Sequence, residues 1–331
     1  MNVESVTETA SVTVTAAARL HLGFLDLNGG LGRRFGSIGL AIDAPRTRLT
    51  IGPAAHDEIV GPAHERARDH LQAMRRSLGL HGSQRVVIEE AIPAHAGLGS
   101  GTQLALAVAA GLRRLHGLPL DSAGDAIHLQ RGARSGVGIG VFDHGGLIVD
   151  GGHGAQTRVA PIVSRMALPE HWRILIVLDP SREGLHGIDE REAFARLAPF
   201  SEQSAARLCR LVLMLALPAL AERDIASFGT AIRDMQQLLG SHFAPMQGGS
   251  RFTSPAVGSC LEVLDRAGAH GVGQSSWGPT GFAFAASPEE AHQLAAAARR
   301  DPAGKGLDIR VCAGLNRGAE IVARVTADPS R

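Results

Sequence analysis

Tyrosine is absent from this chain of 331 residues, and aromatic residues make up only 4% of it. Single-stranded nucleic acid therefore finds few side chains to stack on. Lysine is almost as scarce: Lys305 stands alone, and arginine carries the rest of the positive charge. This argues against a Schiff-base mechanism and against a phosphate loop built on lysine. The three cysteines, Cys209, Cys260 and Cys312, lie far apart and form no CxxC pair, so neither a disulfide framework nor a cysteine zinc site is expected. No HExxH occurs among the dispersed histidines, which excludes the common zinc-hydrolase pattern. A net charge of +1 gives no basic field to hold nucleic acid. The longest apolar run, Leu211–Leu217, is too short to cross a bilayer, and the polar, acidic start is no signal peptide. No nucleic-acid or membrane partner is expected, and a reducing cytoplasm is the expected location.

What is present has the balance of a globular protein. Hydrophobic residues make up 44% and charged residues 20%, enough for a large core and about two domains. The Pro- and Gly-containing stretch around 152–172 marks the boundary and divides the chain into 1–165 and 166–331. In the first part, strands are expected at Val12–Ala17, at Ile38–Ile51 (one long strand or a pair bent at Pro45), at Arg85–Ile92 and at Gly145–Val149. Helical spacing covers His64–Leu80, whose Arg75 reads as a solvated residue, and Ser100–Leu115, apolar almost all round and so expected at the centre. The second part begins with a buried strand, Arg173–Leu178. Helices follow at Asp189–Leu197, Glu202–Leu217, Ala221–Leu239 and Pro255–Ala269. Strands Gly271–Gln274 and Gly281–Ala286, helix Pro288–Arg299, and strands Asp308–Cys312 and Glu320–Val325 close the chain.

One stretch carries chemistry. Pro93-Ala94-His95-Ala96-Gly97-Leu98-Gly99-Ser100-Gly101-Thr102 follows a strand and opens a helix. Its glycines let the backbone approach a ligand closely, and the helix start offers free N–H groups to an anion. Ser100 and Thr102 add hydroxyl donors or a metal ligand. A plain strand-to-helix turn with Ser100 as N-cap is the bland reading; so many Gly, Ser and Thr residues in one turn favour phosphate. The segment is neither a Walker A motif nor a GxGxxG fingerprint.

The loop resembles the second motif of the GHMP kinases, the family of galactokinase, homoserine kinase and mevalonate kinase, usually written PxxxGLGSS. Here it runs from Pro93 to Gly101, with Gly101 in place of the second serine. The resemblance implies an α+β chain with the GHMP-kinase fold. That fold pairs a two-layer N-terminal α/β domain (ribosomal protein S5 domain 2-like) with a C-terminal ferredoxin-like α+β domain. These kinases often carry SGxD further along, with the aspartate as base. Ser135-Gly136-Val137-Gly138 matches it, with Gly138 where the aspartate stands. They also place a magnesium-binding glutamate upstream; Asp125–Gln130 holds none, and Asp125 is the nearest substitute. The first motif, typically GRVNLIGEH, reads ARLHLGFLDL from Ala18 to Leu27. Arg19 and His21 share a face if the strand persists.

These departures have a pattern of their own. ARLHLGFLDLNG, RRFGSIGLAID, PAHAGLGSGTQLALA, RGARSGVGIGVFDHGGLIVDGG, SREGLHG and SSWGPTGFA resemble the β-ribofuranosylaminobenzene 5′-phosphate synthases, a non-kinase branch of the GHMP fold. The resemblance spans nearly the whole chain. It implies a pentosyltransferase of tetrahydromethanopterin biosynthesis, with magnesium as cofactor and a homodimeric assembly. Phosphoribosyl diphosphate and 4-aminobenzoate, or 4-hydroxybenzoate, join through a C–C bond while diphosphate and CO2 leave.

On that reading Pro93, Gly97, Leu98, Gly99, Ser100, Gly101 and Thr102 hold the diphosphate, and Arg19 and Arg134 clamp phosphate or carboxylate. Asp26 and Asp143 are candidates for metal or ribose hydroxyls, with Ser100 and Asp143 as the metal pair; turn aspartates look the same in sequence. His21 and His144 are candidates for hydrogen bonding to phosphate or for general acid–base work, although His144 also suits a loop before Gly145. Ser275, Trp277 and Gly278 belong to a glycine-rich segment expected to close the site. Trp277 either stacks on the aromatic acid or anchors that loop in the core. Ser181–Gly187 either contacts substrate or merely connects. The alternative activity is an ATP-dependent homoserine or sugar kinase; the non-enzymatic alternative is a ligand sensor. Gly138 speaks against the first, and the polar set Arg19, His21, Asp26 and Asp143 against the second.

Overall fold

Two strands of unusual length frame the molecule, whose computed structural model describes residues 9–184 and 187–325. β1 (Thr9–Asp26) and β2 (Arg33–Ala54) pair antiparallel along most of their length. Opposite β2, Ala17 pairs with Arg46 while Ala18 pairs with Ile42. The residues around Pro45 thus bulge out of the ladder, where a missing N–H does no harm. The segment Ile38–Ile51 is therefore one strand with a bulge. β3 (Glu58–Val60), α1 (His64–Leu78) and β4 (Ser83–Glu90) follow. Gly79 ends α1 in the left-handed region, its N–H turned back to Arg75 and Arg76. Arg75 is not a freely solvated residue: it donates to Asp57, Gly82 and Gln84.

α2 (Ser100–Leu115) is buried along most of its length, as its sequence requires. Gly111 brings it onto the sheet, since a Cβ there would lie 2.8 Å from Ile51 Cγ2. α3 (Ser122–His128) is capped by Asp121, and α4 (Val137–His144) packs on α2 and β5 (Leu147–Asp150). These two short helices escape a sequence reading because glycines interrupt their periodicity. β6 (His153–Gly154) and β7 (Ile162–Met166) complete this run of the chain.

The second layer starts at β8 (Arg173–Leu178). Helices α5 (Gly187–Arg196), α6 (Glu202–Leu211), α7 (Leu217–Glu222), α8 (Ile225–Phe243) and α9 (Pro255–Arg266) lead to β9 (His270–Gln274). Then come β10 (Thr280–Ala285), α10 (Pro288–Arg300), β11 (Asp308–Ala313) and β12 (Glu320–Val325). A turn of π-helix, Val212–Ala216, joins α6 to α7 just before Pro218. Widening the helix there accommodates a residue with no N–H to give. The expected helix Ala221–Leu239 is corrected: Arg223 is left-handed, Asp224 caps Ser227, and the new helix begins at Ile225. The run Glu202–Glu222 is, by length and composition, apolar enough to cross a membrane, contrary to the short-run estimate. Here its Ala205, Leu208, Leu211, Ala216 and Ala219 side lies in the core.

β8, β9, β10 and β11 form an antiparallel sheet in the order β11-β8-β10-β9. Within this layer that is 4-1-3-2, the ferredoxin-like arrangement. Ile174 and Ile176 of β8 face one core, and Leu175 and Val177 face another under α9 and α10, so the strand is apolar throughout. The other sheet runs β12-β1-β2-β4-β3, with β5, β6 and β7 attached through β2 and β5. The division at 165/166 needs correction on two counts. β7 continues to Met166, and β12 returns to pair with β1. Leu20 and Leu22 of β1 also share one core with Ile174, Phe228 and Trp277, so the two layers are cemented together.

A buried ion pair locks α2 to α3. Arg113 grips Asp125 bidentately at 2.7–3.0 Å, with the Asp125 side chain 2% exposed. Asp125 is thereby committed to structure and does not replace a metal-binding glutamate. Asp125→Ala strands the buried guanidinium and is expected to cost about 3–5 kcal/mol. Glu90→Ala, in the exposed Arg46–Glu90 pair, costs less than about 1 kcal/mol. Denaturant titration of both variants checks the difference.

Candidate functional site

The loop leaving β4 is held by contacts from both layers. Gly97 and Gly99 each have φ of 79°, a conformation that side chains resist. A Cβ at Gly97 would lie 2.3 Å from the Ser275 carbonyl oxygen and 2.9 Å from Gly278 Cα. Ser275, fully buried, donates to the Gly97 carbonyl at 2.7 Å and accepts from the His21 N–H at 3.0 Å. Arg19 Nη1 donates to the same Gly97 carbonyl at 2.7 Å, and the Arg19 N–H donates to the Leu98 carbonyl. Gly184 donates to the His95 carbonyl and lies against Trp277 and Gly278. Thus the Ser181–Gly187 segment reaches the site through Gly184; Leu185 and His186 lie outside the described residues. Pro93 is half-buried where the loop departs. The Thr102 and Gln103 N–H groups turn back to the Gly99 carbonyl. Ser100 and Gly101 therefore present the open donors at the positive end of α2.

Above this knot lies a group the sequence reading missed. Phe24, Phe35, Phe194, Phe243 and Trp277 pack ring on ring. They amount to four of the ten phenylalanines and one of the two tryptophans, so the scarce aromatic residues are concentrated here. The only hint in sequence was that scarcity, because the rings come from five separate segments. Trp277 is 3% exposed and stacks on Phe194 at 5.1 Å between centroids. Its Nε1 is buried without a hydrogen-bond partner among the described residues. On the other side, the Arg134 guanidinium lies 4.5 Å from the Phe194 ring centroid, a favourable cation–π contact. Below, a cavity of about 30 Å³ between His21, Phe24, Phe243 and Trp277 has room for about one water.

Arg134 is aimed by a second network. Asp150, fully buried, accepts from Ser37 Oγ, Ser135 Oγ, Gly136 N–H and Gly152 N–H. The turn that opens α4, one residue after Arg134, is fixed in consequence. In sequence Asp150 is merely the end of a strand.

Other expected residues lie elsewhere. Asp26 is a turn aspartate that accepts from the Asn28 and Gly29 N–H groups, roughly 20 Å along β1 from Arg19. Asp143 and His144 are exposed at the far end of α4, beside Arg165 and Gly318. Ser100 and Asp143 are therefore not brought together as a metal pair. Among the described residues, no group of three or more His, Cys, Asp or Glu side chains converges to hold an ion. Magnesium sites ordinarily draw on at least one carboxylate, and the donors at the loop, two hydroxyls, do not fit a protein-built one. Gly138 is not an empty position: a Cβ there would lie 3.1 Å from Thr102 Cγ2, and its carbonyl accepts from Gln103 Nε2. A side chain at this point would crowd Thr102, which would have to give way.

His21 shares its face of β1 with Arg19, as the spacing implied. Burial, followed by the charges of Arg19 and Arg134, pushes its pKa down to about 3. It is thus a neutral hydrogen-bonding group at working pH, unable to serve as an imidazolium acid. His70 on α1 is pushed down to about 4 by burial and then by Arg131. Both groups titrate near 6.5 when exposed. Below that pH the unfolded chain binds protons that the folded chain refuses, so stability present above pH 6.5 is lost as pH falls. At pH 5 each histidine costs about 2 kcal/mol relative to neutral pH. Urea unfolding at pH 7 and 5 should show a smaller drop in His70→Gln than in wild type; equal drops contradict the assignment.

Comparison with known proteins places these features in a family. Residues 65–146 match the GHMP kinases N terminal domain, and residues 216–303 match the GHMP kinases C terminal domain. The chain is 31% identical over 318 residues to a beta-ribofuranosylphenol 5'-phosphate synthase of Archaeoglobus fulgidus, covering 92% of this chain and 97% of that protein. It is also 31% identical over 333 residues to the Methanothermobacter thermautotrophicus protein of the same name, covering 93% and 98%. The crystal structure of L. major mevalonate kinase with R-mevalonate superposes with a TM-score of 0.70 at 15% identity, covering 93% of this chain and 98% of that one. That likeness speaks for the fold alone. On sequence, the chain belongs to the beta-ribofuranosylphenol 5'-phosphate synthases, enzymes of pentosyltransferase type built on the GHMP-kinase fold.

Proposed function

We propose that this enzyme transfers the ribosyl 5-phosphate of phosphoribosyl diphosphate to the ring of a para-substituted benzoate, with loss of CO2 and diphosphate. The observation that carries this reading is the Phe194 phenyl, held between the Trp277 indole and the Arg134 guanidinium. A benzoate ring that displaced Phe194 from this place would lie on Trp277 with its carboxylate near Arg134. Trp277 also touches the turn that presses on Gly97, so acceptor ring and phosphate loop are neighbours. The names of the relatives, which end in a ribosylphenol, favour 4-hydroxybenzoate over 4-aminobenzoate. Such a reaction serves tetrahydromethanopterin biosynthesis, and we place it in the cytoplasm, in a homodimer.

The chemistry suits the residues. The C1–O bond to diphosphate breaks, and its electron pair leaves with the diphosphate. Donors at the start of α2 stabilise that departing charge. The ring carbon bearing the carboxylate attacks C1, and positive charge passes to the ring. The C–CO2 bond then breaks, its electron pair restoring aromaticity. No protein base is required, which agrees with a neutral His21 and with Gly138. The aromatic group keeps water from an oxocarbenium-like carbon. Magnesium, on this reading, accompanies the diphosphate and has no carboxylate cage in the protein.

Carboxyl-labelled 4-hydroxybenzoate or 4-aminobenzoate, incubated with phosphoribosyl diphosphate and magnesium, is expected to release labelled CO2 in step with diphosphate. ATP should not be consumed. Silence with both acids, or phosphorylation of homoserine or mevalonate at ordinary kinase rates, would overturn the reading. Trp277→Leu should raise the KM for the acceptor up to about tenfold, the worth of one aromatic pair, and leave the KM for the donor unchanged. An unaltered acceptor KM in a folded variant removes Trp277 from the site.

A further inference from the structure

A cationic cluster outside the aromatic site borders the first turn of α2. Arg131 follows the left-handed Gln130 at the end of α3. Its guanidinium is laid against Gly101: a Cβ there would lie 3.1 Å from Arg131 Nη1 and 3.6 Å from Cζ. Gly101 is the position at which the kinase motif has its second serine, and a side chain there would crowd the guanidinium. Arg131 Nε is buried with no hydrogen-bond partner among the described residues. Burial, followed by the like charge of Arg66, lowers the guanidinium pKa. His70 completes the group. It is 8% exposed, and its Nε2 is likewise buried without a partner among the described residues.

Such an arrangement is costly for an empty fold. A buried donor left unpaired keeps its full desolvation penalty, and two like charges add repulsion. An anion held by the guanidinium beside Gly101 would offset the like-charge repulsion. The start of α2 is where an anion is already favoured, because Ser100 and Gly101 have open N–H groups there. The guanidinium fork matches the oxygens of a phosphate.

We propose that Arg131, backed by Arg66 and His70, forms a binding pocket for the diphosphate end of the donor at the start of α2. Arg19 and Arg134, on the aromatic side of the loop, are then left for the rest of the substrates. The pocket separates leaving group from acceptor across the phosphate loop, with C1 between them. Which end of the donor it takes rests on the reading of the donor as phosphoribosyl diphosphate; the anion pocket itself does not.

Calorimetric titration with inorganic diphosphate tests this without acceptor or turnover. Wild type should bind, and Arg131→Gln should bind at least tenfold more weakly. Ribose 5-phosphate, titrated separately, should bind both proteins alike. Arg131→Gln should also melt no lower than wild type, because it removes an unpaired, partly buried charge. Equal diphosphate affinity in the two proteins, no diphosphate binding by wild type, or a loss confined to ribose 5-phosphate overturns the assignment. A lower melting temperature shows Arg131 to be structural and counts against it as well. Arg66→Gln provides an independent arm, with a several-fold loss expected and no loss counting against the cluster. A protein that binds diphosphate through Arg131 yet releases no CO2 from either benzoate would keep the pocket and lose the proposed reaction; the converse result would do the opposite.

Discussion

The hydroxyl of Ser275 joins three segments that lie far apart in the chain. It accepts from the His21 N–H in β1 and donates to the Gly97 carbonyl in the phosphate loop, while itself belonging to the turn between β9 and β10. The backbone adds to the joint, since the Ser276 N–H donates to the His21 carbonyl. A loop with two glycines at positive φ has many conformations to lose. Here the second layer selects one of them, and the close approach of Gly97 to Gly278 leaves no space for the others. Phosphate-loop geometry in this protein is thus a property of the interface between layers, and the shared core of Leu20, Leu22, Ile174 and Phe228 is what keeps that interface closed.

Scarcity and placement explain the site's character. A chain with few aromatic residues gathers five of them around the loop, drawn from β1, β2, α5, α8 and the turn after β9. Two arginines border the same space and add to the burial that depresses the pKa of His21. The result is an apolar enclosure bordered by positive charge, in which His21 is held neutral.

Two of the departures from the kinase pattern, at Gly138 and Gly101, bear on the packing. At Gly138 the missing side chain lets α4 rest on Thr102 and Gln103 of α2. At Gly101 it lets Arg131 lie along the helix start. Each glycine removes a group the kinases use and admits a neighbour in the same volume. A side chain restored at either position would come within 3.1 Å of Thr102 Cγ2 or Arg131 Nη1, which would have to give way.

Local physics in the sequence determined a good deal. The apolar circumference of Ser100–Leu115 placed that helix at the centre, and the Pro93–Thr102 pattern located the glycine-rich loop that opens it. Alternation and burial identified β8 and β10, because a strand covered on both faces must be apolar throughout. Arg19 and His21 shared a face by strand periodicity alone. What the sequence could not decide was which distant segments meet. Asp26 and Asp143 looked alike as isolated aspartates, yet one caps a turn and the other is exposed at the far end of a helix. Asp125 and Asp150 were unremarkable, yet both are buried and fully engaged. β12 followed the second layer in sequence but pairs in the first sheet. Phe194 and Arg131 acquired meaning only from Trp277 and Gly101, residues far from them along the chain. Periodicity is a short-range property that a sequence records directly, whereas these partnerships arise when long strands and two layers close on one another, and only the tertiary structure contains them.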